Sequence, residues 1–225
     1  MGKHKIAVIG LGRFGSAIAK KLSEKNAEVL AIDVDEEKVM AISDHVAYAV
    51  ALDSTEAKNL VAQNIQEMDA VVVAIGTNYQ GLLLTTFVLQ ELNVKRIIVR
   101  AQDQNQKRIL QKMGISEVLS PEDEVSNNVA EQLVNPSVLM CMQLPDNYEI
   151  VEVKAPKAMF NRTMAAIDLR GKYKINLVTL LRQGAKDKKY HIIGVPEPET
   201  IVEKNDIIVL FGTSPNINRF IEINN

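Results

Sequence analysis

Cysteine occurs once in the 225 residues, at Cys141. A disulfide framework is therefore excluded, and the reducing cytoplasm is the expected compartment. No stretch approaches the ~18 consecutive apolar residues of a membrane span. The opening "MGKHKIAVIG" holds no signal segment separate from its strand, and it lacks the Ser or Thr that a myristoylation motif carries at its sixth position. An excess of positive charge is also lacking. The net charge of −2 divides into −4 over residues 1–134 and +2 over 135–225, too little for a nucleic-acid surface. His4, His45 and His191 are scattered, and no two His or Cys residues have metal-ligand spacing. Internal repeats and low-complexity tracts are missing.

What is present is an ordinary globular composition, 47% apolar and 24% charged. Short Val- and Ile-rich runs at 5–9, 28–32, 47–51, 70–75, 96–99 and 117–119 lack strict polar alternation, as strands buried on both faces of a parallel sheet do. Helical patterns near 14–25, 35–43, 56–65, 78–92 and 104–113 separate them. The fold class is therefore α/β, a Rossmann-like doubly wound parallel sheet, spanning residues 1–134. Its last helix starts after Ser120, which can cap it; Pro121 suits its first position, and Val125, Val129 and Leu133 line one face. Beyond Asn135–Pro136, "SVLMCMQL" is apolar almost all round. Residues 135–144 read as a crossover helix that packs on another subunit. Residues 145–225 then form a small α+β module: strands at 148–155, 175–182, 189–195 and 206–212, and helices at 161–173 and 214–223.

The first strand runs into "GLGRFG", and each glycine has a mechanical task. Gly10 allows the tight turn, Gly12 lets the backbone approach a pyrophosphate, and Gly15 lets helix and strand pack closely. Amides at the helix N-terminus then bind anionic oxygens. Asp33 ends the second strand, 21 residues after Gly12. Its carboxylate can accept from both ribose hydroxyls and repels a 2′-phosphate, which disfavours NADP. Capping of the next helix is the competing task, and Asp35 can take it. Lys38 can reach phosphate or stand in solvent. Arg13 is unusual, because a cation in a first helical turn opposes the helix dipole at ~0.3–1 kcal/mol. An anion richer than a diphosphate, such as a third phosphate, reverses that sign; a surface arginine turned away is the plain alternative.

Asp53 can lie near an adenine amino group or form a capping box with Glu56. "AIGTN" ends the fourth strand where ligands gather in such sheets. Thr77 with Gln80 is also a capping-box pattern, so Thr77 and Asn78 have a structural alternative.

"VIGLGRFG", "AIDVDEEKV", "ALDST", "AIGTN", "VRAQD" and "SPEDEVSNNVA", in that order, resemble the RCK/KTN domain, the regulatory nucleotide-binding protein of bacterial Ktr and Trk potassium uptake systems. "IDLRGKYKINLV" and "VPEPETIVEKNDIIVLFG" resemble its companion C-terminal domain, so the likeness covers essentially the whole chain. The resemblance implies a gating subunit, not an enzyme. It implies ATP/ADP or NAD(H) as ligand, with contacts at Gly10, Gly12, Arg13, Phe14, Gly15, Asp33, Val34, Lys38, Asp53, Ser54, Ile75, Gly76, Thr77, Asn78 and Arg100. Arg13 would meet a γ-phosphate. Glu122 would hold a Mg, Ca or Na ion between subunits, although a carboxylate in a first helical turn is favoured anyway. Homodimers would assemble into an octameric ring beneath an integral-membrane potassium transporter, peripheral to the inner face of the membrane. The single RCK unit leans toward the Ktr type. Some members bind cyclic di-AMP in the C-terminal domain, which here points to Leu169, Arg170, Ile175, Asn176 and Pro196. Pro198 is a rival to Pro196, a core strand also explains Ile175, and a surface ion pair also explains Arg170.

An NAD-dependent oxidoreductase is the alternative. It needs an acid/base site in the cleft. His4 and His191 have no evident carboxylate partner, and Cys141 sits in an apolar segment. A redox-sensing transcription factor wants a helix-turn-helix and a basic face, and the sequence offers neither.

Overall fold

The structure is a computed structural model that describes residues 3–185 and 187–224; the first two residues of "MGKHKI" lie outside them. The chain divides into two units, Met1–Asp123 and Glu124–Asn225. The first contains β1 (Lys5–Ile9), α1 (Arg13–Glu24), β2 (Glu28–Asp33), α2 (Glu36–Ile42), β3 (Tyr48–Ala51), α3 (Ala57–Ala62), β4 (Ala70–Val73), α4 (Tyr79–Glu91), β5 (Ile97–Arg100), α5 (Gln104–Lys112) and β6 (Glu117–Leu119). The six strands form one parallel sheet in the order β3-β2-β1-β4-β5-β6.

Strand alternation sends side chains to two cores. Ala7, Ile9, Leu30, Ile32, Val71 and Val73 pack with Leu60, Leu82, Leu89 and Leu110 on one face. Val8, Val29, Ala31 and Val72 pack with Leu11, Ala19 and Ile42 on the other. Each fully buried Leu or Ile contributes about 1.5–3 kcal/mol, which is why these runs show no polar alternation. β3 departs from the expectation of strands buried on both faces. It is an edge strand, and Tyr48 is exposed.

α6 (Pro121–Val134) starts in the first unit, and the unit boundary falls within its first turn. Ser120 does not cap it. Its hydroxyl is buried and has no hydrogen-bond partner. The Glu122 carboxylate takes its own main-chain N–H instead. Val125, Val129, Leu133 and Val134 stand exposed along this helix.

The second unit adds β7 (Val138–Gln143), β8 (Tyr148–Lys154), α7 (Met164–Ile167), α8 (Leu169–Tyr173), β9 (Asn176–Gln183), β10 (Tyr190–Ile192), β11 (Ile207–Thr213) and α9 (Ser214–Asn224). Its antiparallel sheet runs β10-β9-β11-β8-β7. Val151, Val153, Leu180, Ile208 and Leu210 meet Ile217, Phe220 and Ile221 of α9. The crossover helix expected at 135–144 is absent. Val138–Gln143 is an edge strand paired with β8. A register shift between Val138 and Met140 puts Val138 and Cys141, three residues apart, both in the core. The single helix expected over 161–173 is two. Asp168 adopts a left-handed conformation (φ 54°) between them, and its carboxylate accepts from Gly171 N at 2.9 Å. Of the strand expected over 189–195, residues Tyr190–Ile192 pair with β9; Gly194 has φ +94°. Among the described residues, no helix is long and apolar enough to cross a membrane.

Candidate functional site: a cleft at the sheet's crossover point

The order of the first sheet reverses between β1 and β4, and loops leaving such a point diverge and open a crevice. A cleft of about 380 Å³ lies there. Gly10, Gly12, Arg13, Asp33, Val34, Lys38, Asp53, Ser54, Ile75, Gly76, Thr77, Asn78 and Arg100 all line it. Phe14 and Gly15, from the same motif, do not. The Phe14 ring lies beneath the Arg100 guanidinium, 5.1 Å from its centroid. Gly15 packs on Gly10: a Cβ there would sit 1.9 Å from the Gly10 carbonyl oxygen. Gly10 itself has φ +95°, and its Cβ would lie 2.8 Å from Ile75 N. A Cβ on Gly12 would meet nothing within 4 Å, so the fold alone does not require glycine there.

The α1 N-terminus carries no side-chain cap and no acidic residue in its first turn. Arg13 is exposed, and its guanidinium has neither an ion pair nor a hydrogen bond among the described residues. Asp33 is buried. Its Oδ2 accepts from Leu11 N at 2.6 Å and its Oδ1 from Asp35 N at 3.0 Å. Asp35 caps α2 through Glu37 N, which leaves Asp33 to the glycine loop. Lys38 reaches Asp35 Oδ2 at 3.2 Å and Asp33 Oδ1 at 3.7 Å. The hydrogen bond from Lys38 holds the Asp35 carboxyl below the usual range and raises Lys38 in turn.

Two capping patterns resolve differently from the expectation. Asp53 does not cap α3. Its Oδ1 accepts from Thr55 Oγ1 at 2.7 Å and Thr55 N at 2.9 Å, which lowers its pKa, and the helix starts after Glu56. The turn closes locally before any helical amide comes within reach of Asp53. Asn78, not Thr77, caps α4 by accepting from Gly81 N at 2.9 Å. The Ser54 hydroxyl is committed to Thr85 Oγ1 at 2.8 Å.

Ile9, Thr55, Ala74, Gly81 and Gln102 also line the cleft and were not anticipated. Gln102 and Thr55 follow motif residues Arg100 and Ser54 by one or two positions, and that adjacency was the available signal. Among the described residues, no histidine or cysteine lines the cleft. Arg100 Nη2 donates to Glu122 Oε1. Glu122 lies below the usual carboxylate range, chiefly through its own amide and then through Arg100. Among the described residues, no group of three or more His, Cys, Asp or Glu side chains gathers to hold a metal.

In the second unit Leu169, Arg170, Ile175, Asn176 and Pro196 line one cavity of about 360 Å³, and Pro198 lines it too. Arg170 Nε donates to Asn176 Oδ1 at 2.8 Å. Ile175 and Leu169 are also core residues. Elsewhere, His191 does have a carboxylate partner: Asp187 Oδ2 lies 2.8 Å from its Nε2 across the hairpin turn. His4 Nδ1 lies 3.7 Å from Asp69 Oδ2. Cys141 is buried, and burial, ahead of the nearby Glu149 carboxylate, pushes its thiol from 9.0 to about 11.

The chain matches the TrkA-N domain over residues 6–121 and the TrkA-C domain over residues 148–225. It belongs to the family of proteins built from these two domains. It is 36% identical over 218 residues to Ktr system potassium uptake protein C of Bacillus subtilis (strain 168), covering 97% of this chain and 96% of that protein. It is 35% identical over 223 residues to Ktr system potassium uptake protein A of the same organism, covering 98% of each. Among solved structures, the GsuK RCK domain aligns over 97% of this chain and 46% of that chain (TM-score 0.54, 25% identity). The GsuK channel bound to NAD aligns over 99% of this chain and 38% of that chain (TM-score 0.55, 25% identity).

Proposed function

We propose that this chain is the nucleotide-sensing regulatory subunit of a potassium uptake system. In this reading it works as a homodimer within an octameric ring, against the inner face of the membrane that holds the transporter. The observation that carries the reading is the cleft. A glycine-loop helix N-terminus opens into it without a cap, with an unpartnered guanidinium, Arg13, at its rim. Such an end favours phosphate oxygens, and the extra cation favours a triphosphate over a diphosphate. ATP and ADP are therefore the ligands, with NAD(H) able to use the same loop. Asp33 takes the ribose, and the sites around Asp53, Ile75–Asn78 and Arg100 take base and phosphate.

The cleft presents no histidine or cysteine for acid/base or nucleophilic work, which supports a sensor that leaves its ligand unchanged. The ligand acts by population shift: it moves the balance between two dimer geometries by the difference in its affinity for them. The γ-phosphate supplies that difference through Arg13 and through a Mg, Ca or Na ion at Glu122. The exposed apolar stripe of α6 supports dimerisation, and the cavity at Arg170 and Asn176 suits cyclic di-AMP. Titration calorimetry of the full chain with ATP, ADP, NAD and NADH tests the reading. Binding without turnover is expected; steady NADH consumption with a small substrate would favour an oxidoreductase instead.

A further inference from the structure

Among the described residues, two partly buried arginines pair with carboxylates, Arg100 and Arg182, and they are built differently. Arg182 is fully used. Its Nε and Nη2 donate to Asp206, Nη2 also reaches Ile201 O, and Nη1 pairs with Glu203. That is a structural bridge with its donors satisfied. Arg100 is more deeply buried, with a side chain 16% exposed, yet among the described residues only its Nη2 has an acceptor. Its Nε is buried and has no partner. A buried donor left unmade is costly, so the site is incomplete as it stands.

The surroundings say what kind of group completes it. Arg100 ends β5 at the edge of the sheet where the cleft opens, and its side chain lines that cleft. Phe14, in the first turn of α1, stacks under the guanidinium. Nη1 lies 3.4 Å from the position a Cβ on Gly76 would take. The guanidinium is thereby fixed between the glycine loop and the loop after β4. Its single partner, Glu122, is 52% exposed and is solvated whether or not it holds Arg100. A terminal phosphate offers three acceptor oxygens, where Glu122 meets the guanidinium through one of its two, Oε1. It can satisfy donors that the present pair leaves idle, and the half-exposed Glu122 carboxylate, once displaced, is solvated when no cation is present and free to hold one when it is.

We propose that Glu122 is a built-in competitor for the anion the cleft takes: its carboxylate occupies Arg100, and a phosphate-bearing ligand gains that guanidinium only by displacing it. This rests on reading the cleft as a phosphate site. The contact is autoinhibitory and sets the ligand concentration at which the sensor responds. Displacement also releases the first turn of α6 from β5.

Calorimetry of the full-length wild type and variants with ATP and with inorganic tripolyphosphate tests this, at low salt and in EDTA so that no divalent cation bridges Glu122 to the ligand. Glu122→Gln is expected to bind both ligands about 2- to 5-fold more tightly, the range for removing a half-exposed ion-pair competitor. Asp123→Asn is the control. It removes the same charge one residue away, where Asp123 holds Gln104 and not Arg100, and its affinity should move less than about 2-fold. Arg100→Gln should bind more weakly, and Glu122→Gln should have no effect in that background. Equal tightening in Glu122→Gln and Asp123→Asn overturns the inference, because bulk charge then explains it. Unchanged or weaker binding by Glu122→Gln also overturns it, while wild-type binding leaves the cleft reading intact. No uptake by wild type and Glu122→Gln alike overturns both.

Discussion

Asp33 Oδ2 holds the main-chain amide of Leu11 at 2.6 Å, so the end of the second strand is locked to the glycine loop. The residue that would face a ribose therefore also sets the shape of the phosphate-binding turn. Asp33→Ala leaves Leu11 N and Asp35 N without their acceptor. A loss of about 1–3 kcal/mol of stability is expected, together with at least tenfold weaker nucleotide binding. Urea denaturation and calorimetry check the two separately; an unchanged affinity would remove Asp33 from the site.

Arg13 gives the opposite pattern. Among the described residues it has no ion-pair or hydrogen-bond partner, so Arg13→Ala should leave stability within about 0.5 kcal/mol of wild type. Its preference for ATP over ADP should collapse, with ADP affinity little changed. A preserved ATP-to-ADP ratio would show that the guanidinium does not meet the terminal phosphate.

The second unit depends on a buried ion pair. Asp206 is 1% exposed and accepts from Arg182 Nε at 2.9 Å, Arg182 Nη2 at 2.8 Å and Glu203 N at 2.8 Å. Asp206→Ala leaves Arg182 with only Glu203 and Ile201 O and takes the acceptor from Glu203 N, which costs about 1–3 kcal/mol. Scanning calorimetry should show the transition of the C-terminal unit shifted down, and nucleotide binding by the first unit should persist.

Cys141 predicts an alkaline limit. Its thiol is raised from 9.0 to about 11, so the folded state favours the protonated form. The contribution is complete below pH 9 and is lost as pH rises through 11, because the unfolded chain ionises first. The loss amounts to roughly 2–3 kcal/mol. Cys141→Ser should flatten the fall in stability over that window, and wild-type alkylation at pH 7 should be slow.

Much of the first unit was legible in the sequence because its central strands are buried on both faces, and continuous Val/Ile runs mark such strands whatever their neighbours. The glycine loop and Asp33 were legible for a related reason, since each sits at a strand end whose position the runs define; Arg100 entered only through the family resemblance of "VRAQD". Edge strands carry no such mark. "SVLMCMQL" was misread as a helix because the register shift at Val138–Met140 breaks the period of two that announces a strand. Asp168 split an expected helix through a left-handed residue that an aspartate tolerates and a pattern does not reveal. Asp53 and Thr77 match capping boxes, yet in each case the neighbouring geometry gave the local amides another acceptor or placed the helix start later. The pairing of His191 with Asp187 depends on a hairpin turn, and that of Arg100 with Glu122 on a strand end and a helix start 22 residues apart. Spacing alone encodes neither.

The central claim is that the cleft after β1 binds adenine nucleotide through its phosphates and leaves it intact. Titration calorimetry of the wild-type chain with ATP, followed by recovery and chromatography of the ligand, tests it most directly. The account predicts saturable binding with ATP recovered unchanged after prolonged incubation. Absence of binding by ATP, ADP, NAD and NADH at millimolar concentration, or stoichiometric conversion of the bound nucleotide, would contradict it.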